Sequence, residues 1–600
     1  MPPTLETITS NRVTLIFSFV AFYLLYRVTR VIYRTYRHRT RWQEIPQLPR
    51  HPLWGHLVNM GAKLDPTLLR HPDYAFEEVW ESLGCPPAYL MDLNPVDMSF
   101  LVVADPTIAE QVAQPNNAYK YSLPKSETLM SMYRLIGLES LIIVEGEEWK
   151  NLRRRFNRGF APAHLHSLDP LIVSKTRNFV ERLKISAQDA EAFSLKEYSQ
   201  DLTTDIITTL TIEKDFHAQT TPEGQGSKGP LGMLTASRLL SSLVFPIGRG
   251  FNPLLFFDPI RPTKSWFYEQ VFNRELAKVI RQQIAADQKQ QTSTSEKASN
   301  ASSENSSTTT FQKSITRLAL SGITPDNALI RNTVSQIKSF LFAGQDTTAT
   351  LIQWLCFELS KASWSKDAAE ILARLRAEHD AVFGKDGEAG HFNALDILGR
   401  SDEQGRRETE AILGSKLPYT TAFIKETLRL HPPASTARRV PELSAQYPQP
   451  VTARLRTASG EEKDIMLNGL RIYSAQFLIH RNKSVWGPDA HVFKPSRWLD
   501  EEYMSHLPAG AWRAFERGPR NCIGQELAIV EAKVVLCAVA RGLEFEKVGY
   551  SGRHGGDVDG EQEVSRPKGD GTDHPEREVW SVNQVTSVPV DGMRMKVKLR

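Results

Sequence analysis

Residues Phe515 to Gly524 read FERGPRNCIG, and the interpretation of the whole chain turns on this stretch. A single cysteine, Cys522, stands in a turn studded with glycine and arginine, just before a helix-compatible run from Gln525 to Arg541. Gly518 permits a tight backbone, and Gly524 permits close approach of a flat ligand. The start of the following helix favours negative charge on sulfur, so the turn can present a thiolate to a metal. Arg520, two residues before the cysteine, suits a carboxylate on that ligand. A lone cysteine in an intracellular protein is ordinarily a small buried hydrophobe, and Cys85, Cys356 and Cys537 read that way.

Composition narrows the alternatives. A net charge of +4 over 600 residues is small and does not point to nucleic acid. Four scattered cysteines argue against a disulfide framework and for a reducing compartment, and they are too few and too far apart for a Cys-rich zinc site. No linker of convincing length divides the chain after its N-terminal region, so one large domain with insertions is expected.

The N-terminus reads differently. Val13 to Tyr26 (VTLIFSFVAFYLLY) carries no charge, and apolar character continues through Val28, Val31, Ile32 and Tyr33. The uncharged run alone rises about 21 Å as a helix, short of the roughly 30 Å hydrocarbon core. Extended over 13–33, with Arg27 and Arg30 snorkelling, it is expected to span as a transmembrane anchor. The excess of arginine after it (Arg34, Arg37, Arg39, Arg41) puts the bulk of the chain on the cytosolic side and residues 1–12 in the lumen, and a single-pass placement in the endoplasmic reticulum membrane is expected. A basic and Pro-rich hinge over 34–52 then leads to a domain over 53–600. Ser293 to Thr310 is Ser/Thr/Asn-rich, so a disordered insertion is expected over about 288–310. Gly384 to Arg407 and Gly549 to Glu578 read as further polar insertions.

Thr324-Pro325-Asp326 starts a long, largely apolar helix expected to run to about Lys361. In its middle, Ala343-Gly344-Gln345-Asp346-Thr347-Thr348 places poor helix formers, two hydroxyls and a carboxylate inside an apolar element. Downstream, Glu426 and Arg429 are three apart on one face of a helix closed by Pro432 and Pro433.

The five matched positions Phe515, Gly518, Arg520, Cys522 and Gly524 resemble the haem-binding loop of the cytochrome P-450 family, the haem-thiolate monooxygenases, in a microsomal, fungal-type form. The resemblance runs from the N-terminal segment to the C-terminus. It implies a mainly α fold with a minor β part, preceded by the transmembrane helix. It implies haem b (iron protoporphyrin IX), with Cys522 as the axial ligand of the iron. The central helix resembles the family's oxygen-binding groove, where Gly344 leaves room for dioxygen and Asp346 and Thr347 deliver protons; Thr348 supports the helix. Trp149-Lys-Asn-Leu-Arg153 resembles the Trp-x-x-x-Arg helix that meets the haem propionates. Arg438 is the other candidate there, with Arg439 left as a competitor. Glu426 and Arg429 match the family's buried Glu-x-x-Arg pair, and Arg497 is the expected third partner; these three are structural.

The activity implied is insertion of one oxygen atom of dioxygen into a lipophilic organic substrate, with fungal secondary metabolism as the setting. A fatty-acid or alkane hydroxylase is the alternative, and a haem-thiolate isomerase or a non-catalytic haem sensor the rivals of another kind. NADPH acts only indirectly, through a membrane-bound reductase, with a cytochrome b-type protein as a further electron donor. Arg154, Arg155, Arg158, Arg513 and Arg517 would form the basic surface such a donor meets. Pocket walls are expected from Ser126 to Leu138, Ala434 to Ala437 and Val585 to Val590, with access past Phe245 to Phe257.

Overall fold

The computed structural model describes residues 5–63, 70–94, 96–117, 119–220, 232–244, 258, 260–298, 313–323, 325–385, 392–548, 579–583 and 586–600. Seven helices bear on the site: α1 (Leu5–Arg41), α2 (Pro106–Ala113), α3 (Gly146–Asn157), α4 (Leu195–Ile212), α5 (Asn327–Ser360), α6 (Pro418–Leu430) and α7 (Gln525–Val539). The β part is minor. Strands β1 (Ala88–Met91), β2 (Phe100–Val103), β3 (Thr436–Arg439) and β4 (Arg471–Ser474) form one sheet in the order β1-β2-β4-β3. Only the β2–β4 pair is parallel. A small hairpin, β5 (Ser581–Asn583) with β6 (Ser587–Pro589), comes back to the core near the C-terminus.

Helix α5 is the axis of the molecule. Its start is capped by Asp326, whose side chain accepts from Leu329 N at 2.7 Å; of the expected start signal, Thr324 lies outside the described residues. Every residue from Thr348 to Ser360 is buried, as befits a helix apolar on all sides at the centre of a core. Helix α4 lies along it, joined by Thr203 Oγ1 donating to Gln345 O at 2.9 Å and Gln353 Nε2 donating to Ser199 Oγ at 3.2 Å. The closest approach is at Gly344. A Cβ there would stand 2.9 Å from both Cγ1 and Cδ1 of Ile207. On this side the glycine clears space for a side chain of α4.

The N-terminal anchor is overturned. Helix α1 forms, but no helix among the described residues is long and apolar enough to cross a membrane. Arg27 and Arg30 interrupt the run, and two of the arginines beyond it, Arg39 and Arg41, are tied to the domain. Arg39 Nε meets Asp92 at 2.7 Å, and Arg41 Nη1 meets Glu442 at 3.1 Å. The expected endoplasmic-reticulum, single-pass placement and the membrane attachment of the enzyme and its partners fall with it. The Pro-rich segment is packed as well: Trp42 and Ile45 are buried, and Leu90 N donates to Pro46 O at 2.8 Å.

Other insertions differ in detail. The helix Ile260–Ala298 runs into the stretch expected to be disordered, and residues 299–312 lie outside the described residues. Gly384 to Arg407 holds the helix Ala394–Leu398 and the start of another, Glu403–Ser415, with 386–391 not described. Residues 245–257 and 549–578 also lie outside the described residues.

Gly344→Ala should gain helix propensity of about 1 kcal/mol but lose about 1–3 kcal/mol to overpacking against Ile207. Combined with Ile207→Ala, it should cost clearly less than the two single changes summed. Urea unfolding of the four proteins measures this, and strict additivity would exclude the contact.

Candidate functional site

The cysteine loop is held by its own backbone. Cys522 N donates to Phe515 O at 2.9 Å and Asn521 N to Gly518 O at 3.1 Å. The turn between them needs two left-handed residues, Glu516 (φ 57°) and Gly518 (φ 76°). Gly518 is also pressed against α2, where a Cβ would sit 2.2 Å from Ala113 O. No other residue type meets both demands without strain. Gly524 shows the opposite surroundings. The only atom near its would-be Cβ is Cys522 Sγ at 4.0 Å, so this side of the loop is open.

Cys522 itself is exposed to a water-sized sphere, although the helix that follows is buried from Leu527 onward. Burial of its surroundings is nonetheless the main influence on the thiol and raises its pKa; the Gly524 N–H, Arg153 and Lys125 pull the other way. The two observations agree if the sulfur faces an internal cavity walled by protein. Arg153, on α3, fixes the loop from the side, with Nη1 donating to Asn521 O at 2.7 Å and Nη2 to Asn521 Oδ1 at 3.1 Å.

The middle of α5 shows the same signature. Phe342 to Thr347 are partly accessible, although the helix is buried at Leu341 before them and from Thr348 after them. Thr347 Oγ1 bonds back to Ala343 O at 2.7 Å. Asp346 accepts from Gln200 Nε2 at 3.2 Å and from Thr586 Oγ1 at 2.5 Å. Burial raises the pKa of Asp346, opposed by Thr586, Lys196 and Gln200. The acid and the adjacent alcohol therefore do not bond each other.

The expected anion-binding residues divide into spent and available cations. Arg520 is buried, lies over the Trp149 ring at 5.1 Å, and is engaged with Glu145, Leu141 O and Ile142 O. Arg520 therefore already has one carboxylate partner within the chain. Strand alternation separates the two competitors on β3. Arg439 is part-exposed and paired with Glu127 at 2.6 Å. Arg438 is 1 % exposed; its Nη1 donates to Ser122 Oγ at 3.2 Å and Leu123 O at 3.0 Å, while Nε and Nη2 have no partner. Lys125, bridged to Arg438 through the backbone, adds charge that sequence reading missed. Its pKa is driven well down by burial, then by Arg438 and Arg520, against Glu516 and Glu145.

A buried guanidinium with two nitrogens unpartnered among the described residues is costly unless an anion completes it. Together with the bare side at Gly524 and the accessible thiol, it makes the residues present fit a flat, iron-bearing dianion such as haem.

The three framework residues stand together. Arg429 and Glu426, both 0 % exposed, form a bidentate pair at 2.8 Å, and Arg497 Nε reaches Glu426 Oε1 at 3.0 Å. Trp498 Nε1 and Lys494 N also donate to Glu426, at 3.0 and 2.8 Å. The expected basic surface is reduced. Arg513 is buried and paired with Glu516, and Arg517 Nε is tied to Glu110 at 2.8 Å, because both serve to hold the loop on α2. Arg154 and Arg158 are exposed, and Arg155 is half-buried against Asn332 at 2.8 Å.

An α-rich fold with an accessible cysteine loop and a long central helix that is accessible only in its middle turns defines a class that the comparisons specify. The family model described as Cytochrome P450 matches residues 46–446 and 464–552, and the chain belongs to that family. It is 28% identical over 525 residues to cytochrome P450 monooxygenase polC of Polytolypa hystricis, covering 85% of this chain and 83% of that protein. It is also 28% identical over 528 residues to cytochrome P450 monooxygenase acrF of Aspergillus aculeatus, covering 85% and 93%. A crystal structure of a cytochrome P450, CYP102L1, shares the fold at a TM-score of 0.61 and 18% identity, over 88% of this chain and 98% of that one. Membership makes the protein a monooxygenase-type oxidoreductase and implies a haem b cofactor.

Glu426→Ala would strand two buried guanidinium groups, at a cost of about 3–5 kcal/mol. We expect little haem retained after gel filtration and a lower unfolding midpoint. A variant with normal haem content and stability would show the cluster to be dispensable.

Proposed function

We propose that Cys522 is the axial ligand of the haem iron and that the cofactor lies between the cysteine loop and the stretch Phe342 to Thr347 of α5. The observation that carries this is the pairing of an accessible Cys522 thiol, set beside a bare Gly524, with a buried Arg438 whose Nε and Nη2 have no partner among the described residues. Arg438 would take a propionate, with Lys125 beside it on the paired backbone. Trp149, Arg153 and Arg520 act in the same region by a shorter route, since Arg153 holds Asn521 and Arg520 closes on Glu145. When bound, haem b supplies the redox chemistry that activates dioxygen; the protein supplies geometry, dryness and proton access.

Asp346 and Thr347 are the proton-delivering residues in this reading. Thr347 holds its hydroxyl against the Ala343 carbonyl, so it is already ordered at the accessible turn of the helix. Asp346 stands next to it, and burial raises the pKa of its carboxyl against the opposing pull of Thr586, Lys196 and Gln200. Electrons would come from a separate NADPH-dependent reductase or a cytochrome b-type donor, meeting the face that carries Arg154 and Arg158.

For the substrate we infer a lipophilic organic molecule handled in fungal secondary metabolism. Apolar side chains left accessible near the helix, Met132, Leu138 and Phe342, support the first half, and the fungal monooxygenases polC and acrF the second. Optical binding titrations against terpenoids, polyketides and fatty acids test it; tightest response to fatty acids would favour a fatty-acid hydroxylase instead.

Cys522→Ser should abolish the red-shifted Soret band of the reduced carbon monoxide complex, and a variant that keeps this band rejects Cys522 as ligand. Thr347→Ala should retain haem while diverting most electrons to hydrogen peroxide, on the order of a tenfold loss of coupled turnover, read as peroxide formed per NADPH oxidised. Unchanged coupling would remove Thr347 from proton delivery.

A further inference from the structure

Three segments far apart in sequence meet on one carboxylate. Gln200 of α4 donates to Asp346 Oδ1, and Thr586, on the turn before β6, donates to Oδ2. Thr586 is buried and firmly placed. Its neighbour Ser587 N donates to Pro433 O at 2.8 Å, Val588 pairs with Val582, and Ser581 N donates to Tyr74 Oη at 3.1 Å. A threonine in such a setting has few χ1 choices, so its hydroxyl is aimed rather than free to wander.

The bond has a chemical consequence. An O–H donated to a carboxylate is charge-assisted and stabilises the ionised form. When the Asp346 carboxyl gives up its proton, the carboxylate left behind keeps the Thr586 bond. The ionisable neighbour on α4 is Lys196, held near Glu197; the hairpin contributes the neutral Thr586. Thr347 offers no such support, because its hydroxyl is spent on Ala343 O.

We propose that Thr586 is a positioning residue for proton delivery: its hydroxyl orients the Asp346 carboxylate, eases release of its proton, and ties it to the C-terminal hairpin. This rests on the reading of Asp346 as a proton source. It adds that the hairpin β5–β6, through Thr586, governs that source.

The test compares Thr586→Val, Thr586→Ser and Asp346→Asn in the full-length, haem-loaded protein. The first readout is NADPH-driven reduction of dioxygen with a reductase and no added substrate, scored as peroxide per NADPH. Thr586→Val should raise peroxide severalfold toward the level of Asp346→Asn. Thr586→Ser should match the parent, and the double variant Thr586→Val/Asp346→Asn should match Asp346→Asn alone. The second readout is the infrared carboxyl band lost in Asp346→Asn, followed against pH in the resting protein. Its midpoint should rise by about one pH unit in Thr586→Val and stay put in Thr586→Ser.

A Thr586→Val protein with parental peroxide and parental midpoint, beside an uncoupled Asp346→Asn, overturns the role of Thr586 alone. An Asp346→Asn protein that remains coupled overturns the proton-source reading instead, and the infrared midpoint then judges the Thr586 bond separately. Should Thr586→Val fail to retain haem, Thr586→Ala carries the same two comparisons.

Discussion

Glu426 is the point at which this fold is tied together. Its carboxylate receives bonds from Arg429 on its own helix, from Arg497 and Trp498, and from the backbone of Lys494. A lone buried carboxylate would be ruinous; one surrounded by two guanidiniums, an indole and an amide is satisfied on both oxygens. Arg429 then reaches onward to His480 O and Val492 O, at 2.7 and 3.1 Å. His480 in turn accepts from Arg513 N at 3.0 Å, immediately before the cysteine loop. A chain of charge-supported contacts thus runs from a helix in the middle of the sequence to the turn that presents Cys522. The loop, shaped by its own backbone bonds, is tethered to this cluster at its start.

Around the loop the balance of charge is uneven. Arg520 and Arg513 are each neutralised by a glutamate of the chain, and Arg153 is spent on Asn521. Arg438 has no such direct carboxylate partner among the described residues, although Glu516 and Glu145 act on it from further off. Positive charge left over in a buried place is a destabilising feature that evolution retains when a ligand supplies the missing half. The family's dianionic cofactor is of the right sign, and the accessible faces of α5 and of the loop leave it somewhere to go.

Legibility in the sequence followed locality. The cysteine loop and the Glu426–Arg429 pair are short-range patterns, so spacing alone brought their residues into view. The central helix was equally plain from its apolar run, but the reason for Gly344 was not. A glycine in a helix announces that something comes close, yet it does not say what, and Ile207 lies on another helix altogether. Gln200, Thr586 and Lys125 reach the site only through tertiary closure, and no pattern of neighbours marks them beforehand. The choice between Arg438 and Arg439 needed the strand's alternation together with knowledge of which side was buried. The N-terminal helix was foreseen as a helix and misjudged as an anchor, because two arginines were tolerated within its span while Arg39 and Arg41 beyond it proved to be docking residues.

That docking matters for handling the protein. Trp42 is almost wholly enclosed, with the Arg41 guanidinium 4.5 Å above its ring, and Arg39 reaches Asp92, which in turn is held by Asn94 and Ser99. Shortening the chain at its front end to ease purification should therefore stop ahead of Arg39. A cut placed after Ile45, where the prolines invite it, would unplug an indole from the first sheet and leave Asp92 without its counterion.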